Sequence, residues 1–277
     1  MINMEFSVLM SVYFREKADN LHQALESLIN QSIQPREIVL VKDGALTEML
    51  EQVIDSFNQN NPGILKVIAL PVNKGLGNAL AVGLQACSFD LVARMDSDDI
   101  SDYFRFEKQL AFLKENPLID IVGTTLQEFS KNVGDSTVIK QCRELHKDMV
   151  KIIKLRNPIN HATIIFRKKK LLQAGGYKDG TEFFEDYALF IRLWKGGLIF
   201  HNIPDILYYM RVDTDLNSIR RRCGIHYVKK EINFLKHVFD IGAFTRIDQI
   251  KYGFLKFPVR LLPPRVVLYI YNTFLRK

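Results

Sequence analysis

Arg94-Met95-Asp96-Ser97-Asp98-Asp99 places three carboxylates within four residues, directly after an apolar run at 89–93. A strand that stops at such a cluster delivers negative charge to the rim of a sheet, where α/β proteins commonly hold ligands. Oxygen-only donors favour a hard ion, Mn2+ or Mg2+, which one or two carboxylates hold while substrate phosphates complete its shell. The cluster therefore points to a substrate that carries a diphosphate. The competing reading is a solvated acidic turn ahead of a helix starting near Asp102. A second acidic pair, Glu185-Asp186, opens a helical stretch at 183–195, where it could equally be a charged first turn that suits the helix dipole. Asp43, in Val41-Lys42-Asp43-Gly44, could accept a hydrogen bond from a nucleobase N–H or form an ordinary Asp-Gly turn.

The elements that must position these groups are legible as periodicity. Apolar runs at 6–12, 37–41, 66–70 and 89–95 read as strands. Between them lie helical patterns. Leu21, Ala24, Leu25, Leu28 and Ile29 follow Asp19 as N-cap, and Leu50, Val53, Ile54 and Phe57 share a face after Thr47. The stretch Asn73-Lys74-Gly75-Leu76-Gly77-Asn78 leads into a helix running through Leu84. Strands alternating with helices of this length predict a mostly parallel central sheet flanked by helices on both faces. Beyond Asp120 the order is mixed: a strand at 121–129, a helix at 146–155, a strand at 159–167, the helix at 183–195, and strands at 198–203 and 206–211.

The 277 residues, 47% of them apolar, suit one domain of about 200 residues plus an appendage. Cys87, Cys142 and Cys223 lie far apart with no histidine at zinc spacing, which predicts a reducing cytoplasm and no structural zinc. The N-terminus lacks a basic leader, and no apolar run approaches the roughly 20 residues that span a bilayer. The net charge of +7 is uneven: residues 220–277 carry +10, leaving −3 for residues 1–219. That basic tail is also rich in aromatic and aliphatic residues, a mixture that suits an anionic membrane surface better than nucleic acid. A packed helical subdomain with a solvated basic face is the alternative.

The first glycine is Gly44, so no glycine-rich phosphate cradle follows the first strand. Leu80 stands where a third glycine would follow Gly75 and Gly77, so these two are expected to serve a tight turn and close helix packing. Eight blocks fall in order: 7–13 (Ser-Val-Leu-Met-Ser-Val-Tyr), 27–32, 37–44, 73–75 (Asn-Lys-Gly), 96–99 (Asp-Ser-Asp-Asp), 157–163 (Asn-Pro-Ile-Asn-His-Ala-Thr), 175–177 (Gly-Gly-Tyr) and 185–189 (Glu-Asp-Tyr-Ala-Leu). Together they resemble glycosyltransferase family 2 with the GT-A fold over about residues 5–212. Within the family the chain most resembles bacterial enzymes that build O-antigen or other surface polysaccharide on polyprenyl diphosphate. It lacks the Gln-x-x-Arg-Trp block and spanning helices of processive synthases, which implies transfer of a single sugar.

The resemblance implies that Ser11, Tyr13 and Asp43 hold uracil. It implies that Asp98 is the principal Mn2+ or Mg2+ ligand, that Asp96 meets the ribose and the metal, and that Asp99 lies behind them. It makes Asp186 the base that deprotonates the acceptor hydroxyl, with Glu185 orienting it. His161 falls near the acceptor or diphosphate, and Arg211 clamps the diphosphate. Leu80-Ala81 replaces the family's Arg-Asn, and Arg211-Val212-Asp213 replaces its Arg-x-His, so an aspartate stands in place of a histidine ligand. The expected layout is a catalytic domain at 1–212 and a helical, basic, membrane-associating region at 213–277. The expected activity is inverting transfer of Gal or Glc from a UDP-sugar to an acceptor such as GlcNAc-diphosphoundecaprenol. It would occur at the cytoplasmic face of the plasma membrane, without nucleic acid. A sugar-1-phosphate nucleotidyltransferase needs the missing glycine-rich loop. A non-catalytic membrane or RNA adaptor gives no reason for Asp96, Asp98 and Asp186 to fall where they do.

Overall fold

The computed structural model describes residues 4–178, 181, 183–212 and 220–270. Strands β1 (Phe6–Val12), β2 (Glu37–Lys42), β3 (Leu65–Ala69) and β4 (Leu91–Arg94) pair in parallel in the order β3-β2-β1-β4. The sheet continues through β8 (Ile165–Arg167), β6 (Ile121–Phe129), β9 (Phe200–Arg211) and the short β5 (Ile100–Ser101), with β7 (Ile139–Lys140) on the side of β6. β8 runs antiparallel to β4 and β6, while the long β6–β9 ladder is parallel.

The period of two in the strands divides the core. Phe6, Val8, Met10 and Val12 face one apolar layer and Leu9 the other. On the first face pack α1 (Ala18–Ile29), α2 (Glu48–Asn60) and α4 (Arg105–Glu115), through Leu21, Leu25, Leu50, Phe57, Phe106 and Leu110. On the other lie α3 (Leu76–Ala86), α6 (Lys168–Gln173) and α7 (Glu185–Lys195). Thr47 caps α2 as predicted, accepting from the Leu50 amide at 3.4 Å. Asp19 is not the cap of α1; it sits in the first turn behind Lys17, where its charge still suits the dipole.

Three predicted elements differ. The helix at 146–155 is only α5 (His146–Val150); residues 151–156 follow as turns in which the Ile152 amide bonds the Met149 carbonyl at 3.0 Å and the Leu155 amide the Ile152 carbonyl at 2.8 Å, three residues back instead of four. The strand at 159–167 is split into a 3-10 turn, His161–Thr163, and β8. There the Thr163 hydroxyl donates to the Asn160 carbonyl at 2.8 Å and accepts from the Thr124 amide at 3.1 Å, competing with ladder pairing. The two strands at 198–203 and 206–211 are one, β9, with register shifts opposite Thr124 to Leu126 that absorb Pro204.

The C-terminal helices α8 (Ile225–Asp240), α9 (Arg246–Leu261) and α10 (Pro264–Ile270) follow. Phe234 of α8 is fully buried, stacked on Phe184 at 5.0 Å and Tyr187 at 4.8 Å, so α8 shares its core with α7. Tyr252 of α9 donates to the buried Glu231 carboxylate at 2.8 Å. Among the described residues no helix is long and apolar enough to cross a membrane.

Candidate active site

Parallel strands bring their C-terminal ends to one rim. In register, Ser11 of β1 lies beside Val41 of β2, and Leu9 beside Arg94 of β4. The residues that follow, Tyr13, Asp43 and Asp96, therefore gather at a single edge. Asp96 is ion-paired to Arg94, and its amide donates to the Tyr208 hydroxyl at 3.2 Å. The Ser97 hydroxyl donates to Glu16 at 3.1 Å, which draws Glu16 into the cluster. Burial, followed by the charges of Asp96 and Glu16, pushes the Asp98 carboxyl up to about 7. Buried Asp99 is raised well above the usual range by desolvation and then by Asp98 and Asp96, although it accepts the Arg211 amide at 2.7 Å.

The loop is thus short of positive charge. Its oxygen-only donors, Asp98 and Asp96 with Glu16 beside them, fit a hard divalent ion. Among the described residues no three acidic, histidine or cysteine side chains form a ready-made metal cage. An ion held by one or two carboxylates would take its remaining ligands from a substrate diphosphate and water.

Two predicted contacts have protein partners. The Asp43 carboxylate accepts the Lys74 amide at 2.8 Å and the Gly75 amide at 2.9 Å, so both oxygens fix the loop entering α3. Arg211 spans the acidic loop: Nε donates to the Asp98 carbonyl at 2.8 Å, Nη2 to Gln23 at 2.9 Å and Nη1 to the Ser130 carbonyl at 3.2 Å. Its guanidinium also lies 4.4 Å from the centre of the Phe129 ring. Tyr13 is exposed at the mouth, edge-on to Phe14 at 5.8 Å, and could offer a ring to a base; Ser11 lies partly buried behind it. Asp213 lies outside the described residues.

On the opposite side, Asp186 stands in the first turn of α7. One oxygen accepts the Tyr187 amide at 2.7 Å and the other the Asn157 side-chain amide at 2.7 Å. Desolvation raises its pKa against these bonds and the Arg222 charge, which brings it nearer to that of a general base. Glu185 packs on Gly77: a Cβ added there would lie 3.2 Å from the Glu185 Cγ and 3.4 Å from the Lys178 carbonyl. Gly75 takes a φ of 87° at the head of the same helix. Phe183, just before α7, holds a φ of 69°, a strained conformation for a bulky residue and one that often accompanies functional sites.

His161 lies on the 3-10 turn, its Nε2 2.8 Å from the Tyr177 hydroxyl. Burial and then Arg94 hold it well below the usual histidine range, so it is neutral. Arg94 is 1% exposed, and its Nε and Nη1 lack hydrogen-bond partners among the described residues. Tyr177 feels Arg94, Asp96 and Asp186 after its own desolvation, which places both carboxylate sites around one buried polar group. Sequence reasoning gave no role to Arg94, Asn157 or Glu16. Arg94 opens the run that carries the three carboxylates and Asn157 opens the block at 157–163, while Glu16 carries no local signal.

Glycosyl transferase family 2 matches residues 7–176. An uncharacterized glycosyltransferase of Haemophilus influenzae is 41% identical over 274 residues, covering 99% of this chain and all of its own. The UDP-Gal:alpha-D-GlcNAc-diphosphoundecaprenol beta-1,3-galactosyltransferase of Escherichia coli is 35% identical, covering 99% of this chain and 97% of its own. Residues 1–349 of S. aureus TarS, in complex with UDP-GlcNAc, superpose with a TM-score of 0.61 at 22% identity, covering 91% of this chain and 76% of that one; the fold is GT-A. The chain belongs to glycosyl transferase family 2.

Proposed function

We propose that this glycosyltransferase moves one hexose, Gal or Glc, from a UDP-sugar to a lipid-linked acceptor such as GlcNAc-diphosphoundecaprenol. The transfer inverts the anomeric centre and forms a β linkage in the synthesis of O-antigen or another surface polysaccharide. The observation that supports the reading is that Arg94 bears on both Asp98 and Tyr177, while Asp186 also bears on Tyr177, and both carboxyl pKa values are raised, first by burial. The 35% identical galactosyltransferase supports the choice of donor and acceptor.

In this reading Ser11 and Tyr13 flank the uracil, and Asp43 shapes the loop beneath it. Asp98 and Asp96 would hold Mn2+ or Mg2+, which when bound would supply positive charge to offset that of the UDP leaving group. Arg211 braces the loop that carries them. Asp186 takes the proton of the acceptor hydroxyl at its carboxylate, Asn157 fixes that carboxylate, and Glu185 orients the acceptor. Neutral His161 lies near the acceptor. Residues 1–212 form the catalytic domain. The basic helices after them associate with the anionic inner face of the plasma membrane, drawing about 1 kcal/mol from each lysine or arginine near the surface.

Incubation of a UDP-sugar panel with a synthetic GlcNAc-diphospholipid, with Mn2+ and with chelator, tests this reading. One UDP-hexose should give a β-linked disaccharide lipid only when metal is present. An α-linked product, or no transfer from any UDP-sugar, would overturn it.

A further inference from the structure

Positive charge collects on the acceptor side of Asp186 without matching negative charge. Arg222 is close enough to Asp186 to lower its pKa, and the Arg222 carbonyl accepts Arg260 Nη1 at 3.5 Å. The Arg260 carbonyl in turn takes the Gly224 amide at 2.7 Å, which ties the end of α9 to the head of α8. The Arg260 guanidinium sits 4.8 Å from the centre of the Tyr227 ring, and that ring is 5.4 Å from Phe184, two residues before Asp186. Arg156 adjoins Asn157, the residue that holds Asp186. The Lys256 amine is pushed below its ordinary range by burial, then by Arg260 and, after Glu231's opposing charge, by Arg156. Arg222 and Arg260 are thus held together beside the segment that precedes the base, with Lys256 one turn before Arg260 on α9 and Arg156 next to the residue that fixes Asp186.

Two carboxylates adjoin this group among the described residues: Asp186, the proposed base, and Glu231, which is fully buried, 3.6 Å from Arg260 Nε and already bonded by Tyr252. Arg156, Arg222 and Lys256 make no ion pair among the described residues, and Arg156 and Arg222 are exposed. Like charges held together against their mutual repulsion are relieved by a multivalent anion, and guanidinium groups match phosphate oxygens in pairs.

We propose that Arg156, Arg222, Arg260 and Lys256 form a subsite for the diphosphate of the acceptor, holding its sugar hydroxyl toward Asp186. The subsite rests on the acceptor reading above and adds the residues that would recognise the carrier. It leaves the donor diphosphate to the acidic rim and separates the two diphosphates by charge: one meets carboxylates through a cation, the other meets cations directly.

Calorimetric titration of the full chain with geranyl diphosphate, in the presence of UDP and Mn2+ so that the donor side is filled, tests this. Binding should weaken on the order of tenfold for each arginine removed, because each supplies charge-assisted hydrogen bonds. The variants are R156Q, R222Q and their pair. R222K should keep most of the affinity and R222E should abolish it. Lys229→Gln and Lys251→Gln, exposed lysines outside the cluster, should leave the geranyl diphosphate affinity unchanged. Equal binding by wild type and R156Q/R222Q at an unchanged thermal midpoint overturns the subsite. Loss of binding to phosphatidylglycerol vesicles with unchanged geranyl diphosphate affinity also overturns it, in favour of a bilayer contact. If R156Q/R222Q fails to fold, the R222K and R222E pair decides the matter alone.

Transfer assays separate the subsite from the activity it rests on. In R156Q/R222Q the KM for a GlcNAc-diphospholipid should rise, while the KM for a neutral GlcNAc glycoside and for the UDP-sugar should hold. Undiminished use of the diphospholipid by this variant sinks the subsite and leaves the transferase reading standing. Geranyl diphosphate binding that is lost in R156Q/R222Q, in a chain that transfers no sugar, does the reverse.

Discussion

The acidic rim after β4 and the basic surface between α8 and α9 obey the same physics with opposite signs. In the first, burial and neighbouring carboxylates push Asp98 up to about 7; in the second, burial and neighbouring guanidinium groups push Lys256 down. Matched pairs elsewhere show the contrast: Lys42 pairs with Glu51 at 2.7 Å and Lys154 with Asp248 at 2.7 Å. Unmatched charge held in partly buried surroundings costs folding free energy, and it is retained where a ligand of opposite sign completes it. In the proposed reading a divalent ion would complete the rim and a diphosphate the helical surface. Asp186 lies between them.

The largest effect belongs to the rim. Asp98→Ala should lower kcat on the order of 10³-fold or more, since charge neutralisation of the leaving diphosphate is worth several kcal/mol. Chelation of the wild-type enzyme should match it, and full turnover in excess EDTA would remove the metal assignment. Next is the group between the two regions. Asp186→Asn keeps the shape and one hydrogen-bond acceptor but cannot take a proton, so kcat should fall roughly 10²- to 10⁴-fold with UDP affinity unchanged. If UDP affinity collapses while kcat at saturation survives, Asp186 binds the donor and the base lies elsewhere.

The basic side is tested by removal. Deleting residues 246–277 takes Tyr252 from buried Glu231 and breaks the Lys154–Asp248 pair. Leaving a buried carboxylate without its partner costs about 3 kcal/mol or more. The truncated chain should therefore show a lower thermal midpoint and aggregate. A truncated chain that folds with an unchanged midpoint and merely loses vesicle binding would mark these helices as a detachable anchor. A smaller effect is expected from Gly77→Ala, whose new methyl must displace Glu185. Transfer should drop by about tenfold or less, with stability lowered by roughly 1–3 kcal/mol for the overpacking; an unchanged rate would detach Glu185 from the acceptor.

The smallest effect is a pH dependence. Desolvation raises the Asp248 pKa, but Lys154 and the Thr245 capping box outweigh it and hold it down to about 2. Its folded value lies below its unfolded one, so its contribution is present above the ordinary carboxylate range and is lost as pH falls toward 2. Lys154→Met should lessen the difference in thermal midpoint between pH 5 and pH 3. An unchanged difference would show that the pair contributes nothing.

The βα half of the fold was legible because each strand and helix there carries its own period, and Asp96 and Asp98 follow directly from where β4 stops. The second half was harder. Tight turns after α5 and the hydroxyl bonds of Thr163 override periodicity at 151–164, and Pro204 is absorbed by a bulge that alternation cannot show. In the site, Asp43 and Arg211 were visible as residues but not as to partners, because their hydrogen bonds go to backbone groups distant in sequence. Glu16 joins the rim only through Ser97, and Arg222 reaches Asp186 only once α8 is folded against α7. Contacts of that kind are products of the fold and leave no local pattern.

The most direct test of the charge-completed rim is UDP binding by calorimetry, with and without Mn2+, to wild type and to Asp98→Ala. UDP should bind the wild type tightly with Mn2+ and at least tenfold more weakly without it, a difference of about 1.4 kcal/mol or more, and Asp98→Ala should bind equally weakly in both. Equal affinity of the wild type with and without metal would contradict the assignment of the donor diphosphate to a divalent ion at Asp98 and Asp96.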